Sequence, residues 1–228
     1  FTQRNNEIWR HEGLLMAPKC IIFDCDGTLV DSEGITNQVI AEMAGELGIQ
    51  MTGEEASAEF GGKTLDGVLY KMKEMSGKEI PEDWLPRLVQ MVSDSWESKL
   101  RPVKGVREIL EEMEVPVCVA SNGEPTHVRH SLRLTKLYNF FGEKIFTASE
   151  VNAPKPSPEI FLYASKKMGF KPTECVVIED SVTGVRAAVK ANMKVYGIIN
   201  NLFSENDLKN AGAIPFKNML ELPKLLGL

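Results

Sequence analysis

The apolar positions of this chain follow two rhythms that alternate along most of its length. Short, nearly continuous apolar runs at 19–23 (KCIIF), 116–120 (PVCVA), 144–146, 175–178 (CVVI) and 194–198 predict strands buried on both faces. Between them apolar residues recur three and four apart, which predicts helices over 106–113, 125–134, 158–168, 181–191, 204–211 and 219–226. One stretch breaks the alternation. From residue 33 to 101 only helical spacing is found, at 35–47, 64–75 and 82–100, the first ending at Gly48 as a helix C-terminus should.

Strands alternating with helices predict a parallel sheet covered on both faces. The fold class is therefore α/β: a Rossmann-like, doubly wound parallel sheet core at 18–32 and 102–228, with an α-helical domain inserted at 33–101. Length agrees, because 228 residues at ~150 per domain suit one large domain carrying an insertion better than two equal halves. The first 17 residues are polar and lack the apolar stretch of a secretory signal. Met16 stands just ahead of the first strand, so the native start is expected there, with residues 1–15 foreign to it.

Composition narrows the partners. With 26 basic and 32 acidic side chains the net charge is −6, and neither duplex DNA nor an anionic membrane surface is matched by such a balance. Apolar content of 43% excludes a disordered chain. No 18-residue apolar run is present, so no membrane-spanning helix is expected. Of the four cysteines, Cys20, Cys118 and Cys175 fall in strand runs and none forms a C-x-x-C pair, which predicts free thiols and a cytoplasmic location. A monomer or weak dimer is expected.

Three of the predicted strands end abruptly in polar residues: CIIF in Asp24, VCVA in Ser121-Asn122, and CVVI in Glu179-Asp180. In open parallel sheets the ligand crevice lies at the carboxyl ends of the strands, so these distant segments should meet there. Asp24 and Asp26, two apart in chain leaving a strand, should face one side while Cys25 faces the other. Gly27 permits the turn that follows. Several carboxylates in one crevice repel each other unless a cation is present, and hard oxygen ligands favour Mg²⁺, which shares phosphate oxygens readily. Lys155 and Ser121 add the positive charge and hydroxyl that a phosphate needs, an inventory that suits phosphoryl transfer.

These residues resemble the haloacid dehalogenase-like hydrolase superfamily, in its phosphoglucomutase-like phosphatase branch with a small helical cap. The string Asp24-Cys25-Asp26-Gly27-Thr28-Leu29-Val30-Asp31-Ser32 matches its first motif, Val117 to Ser121 its second, Lys155-Pro156-Ser157-Pro158-Glu159 its third, and Glu179-Asp180-Ser181 its fourth. The resemblance implies that Asp24 is the nucleophile forming an aspartyl-phosphate and Asp26 the general acid and base. It implies Mg²⁺ held by Asp24, the Asp26 carbonyl and Asp180, with Glu179 behind them or acting through water. Ser121, Asn122, Gly27 and Lys155 would hold the phosphoryl group. The insertion resembles the cap that closes over the crevice, with Gly62, Lys63 and Thr64 in its substrate-facing loop. The implied activity is hydrolysis of a small phosphorylated metabolite, a sugar or polyol phosphate.

Other readings fit less well. A hexose-phosphate mutase would carry an Arg shortly after the cap glycine, where this chain has Lys63-Thr64-Leu65. A receiver-type signalling module places its acidic pair first and lacks a helical insertion. A dehalogenase would replace Asp26 by an aromatic residue, and a phosphonatase needs a Schiff-base lysine in the cap, for which Lys63 is a loose candidate. Gly62-Lys63-Thr64 is no P-loop, since Ser57 stands where the first glycine belongs. His127 and His130 lack a third ligand nearby, Cys25 lacks a histidine partner, and Trp84 and Trp96 are expected to pack within the insertion.

Overall fold

The computed structural model describes residues 17–61 and 63–228. The expectations about residues 1–16 and about Gly62 lie outside the described residues. Among the described residues six strands form one wholly parallel sheet: β1 (Cys20–Phe23), β2 (Val117–Ser121), β3 (Ile145–Thr147), β4 (Cys175–Glu179), β5 (Lys194–Ile198) and β6 (Ile214–Phe216), in the order β3-β2-β1-β4-β5-β6. Side chains alternate across the strands. Ile21, Phe23, Val119, Ile178 and Ile198 meet Val106, Ile109, Leu132 and Leu222 on one face. Ile22, Cys118, Ala120, Val177 and Val195 meet Ile160, Phe161, Ala164, Val185 and Leu208 on the other. Each buried Ile, Val or Leu contributes roughly 1.5–3 kcal/mol, so covering both faces drives the sandwich.

Helices α5 (Val106–Glu112), α6 (Pro125–Leu134), α8 (Glu159–Met168), α9 (Val182–Lys190), α10 (Glu205–Ala211) and α11 (Leu222–Leu226) lie close to the predicted spans. The strand β6 and the short helix α7 (Tyr138–Phe141) are additions that the apolar pattern does not predict. β6 is only Ile-Pro-Phe on the sheet edge, where a proline that cannot donate is tolerated.

Between β1 and α5 lie α1 (Glu33–Glu46), α2 (Gly53–Phe60), α3 (Leu65–Ser76) and α4 (Trp84–Lys99), and no strand among the described residues. They bury Val39, Ile40, Met43, Ala56, Phe60, Met72, Trp84 and Leu88 against one another. Trp84 sits at the centre of that cluster, its indole donating to the Met43 carbonyl at 3.3 Å. Trp96 does not join it. It packs at the far end of α4 with the sheet-side core, edge-on to His127, because the last turns of α4 lie against α6.

The strand order positions the site. β1 is flanked by β2 and β4, with Phe23 level with both Val119 and Ile178. Chain leaving β1 therefore emerges between the ends of the two strands that carry Ser121 and Glu179. This is the switch point where successive connections run to opposite sides.

Candidate active site

The Asp24 amide donates to the Ile178 carbonyl at 2.9 Å, so Asp24 prolongs the sheet by one residue before the chain turns. The turn closes with Gly27 N donating to Val30 O at 2.8 Å. Gly27 has φ +75°, a conformation other residues adopt at a cost, and a Cβ there would run into the Asp180 carboxylate. Gly27→Ala is therefore expected to lower catalytic activity on the order of 10²-fold, since small displacements of reacting groups are this costly. Steady-state kinetics beside a melting curve would separate the local effect from unfolding.

Asp24 and Asp26 line one cavity while Cys25 turns inward to Ser131, its sulfur 3.7 Å from that hydroxyl. Burial first, then the neighbouring Asp26 and Asp24, push the Cys25 thiol well above its ordinary range, which removes it as a nucleophile. Asp26 accepts from Ser32 Oγ at 2.6 Å. Ser32 stands at the N-cap position of α1, yet its hydroxyl serves Asp26 instead of the helix backbone. From β2, Ser121 Oγ accepts from Gly123 N at 3.0 Å, which leaves its own proton to donate. The Asn122 side chain accepts from Lys155 N at 2.8 Å and donates to Lys155 O at 3.4 Å, which holds the lysine loop.

Lys155, 7% exposed, bridges Asp24 and Glu179, donating to Asp24 Oδ1 and, at 2.7 Å, to Glu179 Oε1. Its ammonium lies 4.9 Å from the centre of the Phe161 ring. Burial opposes the charge, but Asp24 and Glu179 outweigh it and hold the ammonium above its usual range. The other Glu179 oxygen accepts from Asp180 N at 3.0 Å and from Ser181 N and Oγ, each at 2.9 Å. Gly184 leaves the room this carboxylate occupies, since a Cβ there would overlap it. Asp180 accepts from Asn200 Nδ2 at 2.7 Å through one oxygen.

Two carboxylates thus flank one ammonium, and a third stands beside them. Asp24, Glu179 and Asp180 each bring an oxygen to within 4.8 Å of the others, a grouping that could hold a metal ion. Burial, opposed by Lys155 and reinforced by Glu179, raises the Asp24 carboxyl to about 8. Burial and then Glu179 and Asp24 raise Asp180 well above the carboxylate range. Burial also raises Asp26, against the pull of Ser32 and Lys155. The donor set carries more negative charge than one lysine balances, all of it on hard oxygen. It fits a small divalent cation.

The sequence singles out every one of these carboxylates and Lys155. It assigns no role to Ser32, Asn200 or Gly184, which act on them through contacts that only the fold creates. The cavity measures about 750 Å³, within the range of small-molecule sites. Lys63 and Thr64 line it, but both are engaged locally: Lys63 Nζ donates to the Glu59 carbonyl, and Thr64 Oγ1 accepts from Gly67 N at 3.2 Å to cap α3. His127 lines the cavity as well, and His130 lies 3.4 Å from Glu97.

A parallel sheet whose central strands end in an aspartate-bearing turn, a serine and an acidic pair, with a buried lysine set against them, points to a class of hydrolase. The chain belongs to the haloacid dehalogenase-like hydrolases, whose family model matches residues 21–198. It is an enzyme of the phosphoric monoester hydrolase class. It is 29% identical over 179 residues to the 6-phosphogluconate phosphatase of Escherichia coli (strain K12), covering 78% of this chain and 81% of that one. It is 27% identical over 212 residues to the phosphorylated carbohydrates phosphatase of Thermotoga maritima, covering 91% and 98%. A haloacid dehalogenase family hydrolase from Deinococcus radiodurans, solved with bound phosphate and sodium, superposes with a TM-score of 0.78 at 31% identity, covering 93% and 96%. No helix among the described residues is long and apolar enough to cross a membrane.

Proposed function

We propose that the protein is a Mg²⁺-dependent phosphatase of small phosphorylated metabolites, sugar or polyol phosphates, acting through an aspartyl-phosphate on Asp24. The carrying observation is the buried Lys155 bridge: one ammonium ties Asp24 to Glu179, drawn from separate strands, at the head of a cavity that also holds Asp26, Ser121 and Asp180. The two phosphatases named above support the substrate class.

Asp24 attacks phosphorus and the bond from phosphorus to the ester oxygen breaks. Asp26, whose burial favours the protonated carboxyl, gives its proton to the departing alcohol oxygen. The resulting Asp26 carboxylate then takes a proton from water, whose oxygen attacks phosphorus and releases Asp24 and inorganic phosphate. Lys155 and the Ser121 hydroxyl neutralise and orient the phosphoryl oxygens. Asp24, the Asp26 carbonyl and Asp180 would hold Mg²⁺, with Glu179 behind them or acting through water. The ion would supply positive charge at the phosphoryl oxygens and offset the burial and mutual repulsion that raise these carboxyls. The helices at 33–101 serve as a cap that excludes water from the cavity.

Hydrolysis is favoured over the mutase reaction because Lys63, at the place of the mutase arginine, is held by Glu59. Chelation tests the metal. EDTA is expected to reduce phosphate release to background and added Mg²⁺ to restore it; a rate indifferent to EDTA would sink the metal assignment. β-Glucose 1-phosphate with a bisphosphate primer should yield phosphate and no glucose 6-phosphate.

A further inference from the structure

Two neighbouring helices line the cavity beyond the phosphoryl site with unlike side chains. From α1 come Glu33, Thr36 and Asn37, spaced three and four apart on one helical face. From α4, packed beside α1, come Val89, Val92, Ser93 and Trp96 at the same spacing. Glu33 is the unusual member. Among the described residues no lysine or arginine pairs with it, and its one side-chain hydrogen bond is a long one, 3.4 Å from Asn37 Nδ2. Asn37 has a better acceptor in Ser57 Oγ at 3.1 Å. A carboxylate in the first turn favours the helix dipole, but an exposed one would do so equally, without the cost of partial burial. Burial, and then Asp26, raise the Glu33 carboxyl to about 7, an environment that leaves strong acceptor oxygens in want of donors. The indole Nε1–H of Trp96, which lines the same cavity, is buried without a partner.

We propose that Glu33 is a specificity-determining residue for the leaving group: its carboxylate accepts hydrogen bonds from a hydroxyl near the ester carbon. Val92 and Trp96 take the C–H face of the same molecule. Carboxylate and amide groups beside apolar and aromatic side chains in one cavity complement a polyol or sugar, which carries both hydroxyls and C–H groups. The proposal rests on the phosphatase reading and narrows it to alkyl phosphates that carry neighbouring hydroxyls.

The test compares wild type with Glu33→Gln, which keeps the shape, in the full chain with Mg²⁺. Substrates are glucose 6-phosphate, sorbitol 6-phosphate, the hydroxyl-free ethyl and p-nitrophenyl phosphates, and aminoethyl phosphate. Wild type should prefer the hydroxylated esters. In the variant kcat/KM for them should fall about 10²-fold, the scale of losing a hydrogen bond to a charged acceptor. The hydroxyl-free esters should stay within about 3-fold, and the melting temperature should hold. Equal loss on both groups of esters would place Glu33 in the chemistry and overturn the proposal, as would equal retention. A wild-type preference for aminoethyl phosphate that Glu33→Gln abolishes would overturn it in favour of an ammonium ligand. Wild type releasing phosphate from none of the five esters would overturn the phosphatase reading itself, and the proposal with it.

Discussion

Replacing Asp24 by Asn is expected to reduce phosphate release on the order of 10⁴-fold or more while the chain stays folded. A covalent step removed from a concerted machinery costs this much because the remaining groups have nothing to act upon. The amide has the shape of the carboxylate and can still accept from Lys155, which keeps Glu179 as its anion. Stability should not suffer. In metal-free protein Asp24 is raised to about 8 from 3.8, so between these values the native state holds a proton that the unfolded state has released. Stability then falls as pH rises through that window, and an uncharged amide removes the loss. Metal-free melting at pH 7 should find Asp24→Asn as stable as wild type or more so. The variant should also fail to form the acid-labile, base-labile phosphoryl-protein that wild type accumulates on rapid quenching. Undiminished turnover would rule out Asp24 as the nucleophile.

How far this site is legible in the sequence follows from what each residue answers to. The strands are readable because a strand buried on both faces has little choice but an apolar run, and the runs stop where the sheet meets the crevice. Asp24, Ser121 and Glu179-Asp180 are visible as those stops, and Lys155 through its proline-flanked motif. Partners that act across the fold leave no such trace. Ser32 has the residue type and position of a helix cap, and only its 2.6 Å bond to Asp26 reveals the other use. Asn200 reaches Asp180 from the loop after β5, and nothing in its neighbours predicts this. Asn122 is expected from its motif to hold phosphate, and its two hydrogen bonds to the Lys155 loop are a use that the motif does not announce.

The elements show the same division. The α2 helix escapes the apolar pattern because only Ala56 and Phe60 of its eight residues are buried, too few for a helical rhythm. Its capping box of Thr52 and Glu55 is the available signal. Trp96 reads as part of the insertion because it lies on the same predicted helix as Trp84. A helix of sixteen residues spans about 24 Å, long enough for its two ends to belong to different cores.

Asp26→Asn should separate the two halves of the reaction by leaving group. With alkyl phosphates, whose alkoxide departs badly without a proton, turnover should fall about 10³-fold or more, within the range for a lost general acid. With p-nitrophenyl phosphate, whose phenolate needs no proton, formation of the aspartyl-phosphate should be much less impaired. Hydrolysis of that intermediate still needs a base to take the proton from water, so an early burst of nitrophenol should precede a slow steady state. The geometry supports one residue in both roles. Asp26 lines the same cavity as Asp24, has its carboxyl raised above the ordinary carboxylate range by burial, and receives from Ser32 a bond that fixes its placement. The substituted amide would keep that bond, since its oxygen accepts from the same hydroxyl, so the variant isolates the proton from the placement. A uniform loss on both esters with no burst would show that Asp26 only positions the turn. Proton transfer would then have to be sought elsewhere in the cavity, where Glu33 and His127 are among the titratable groups that line it.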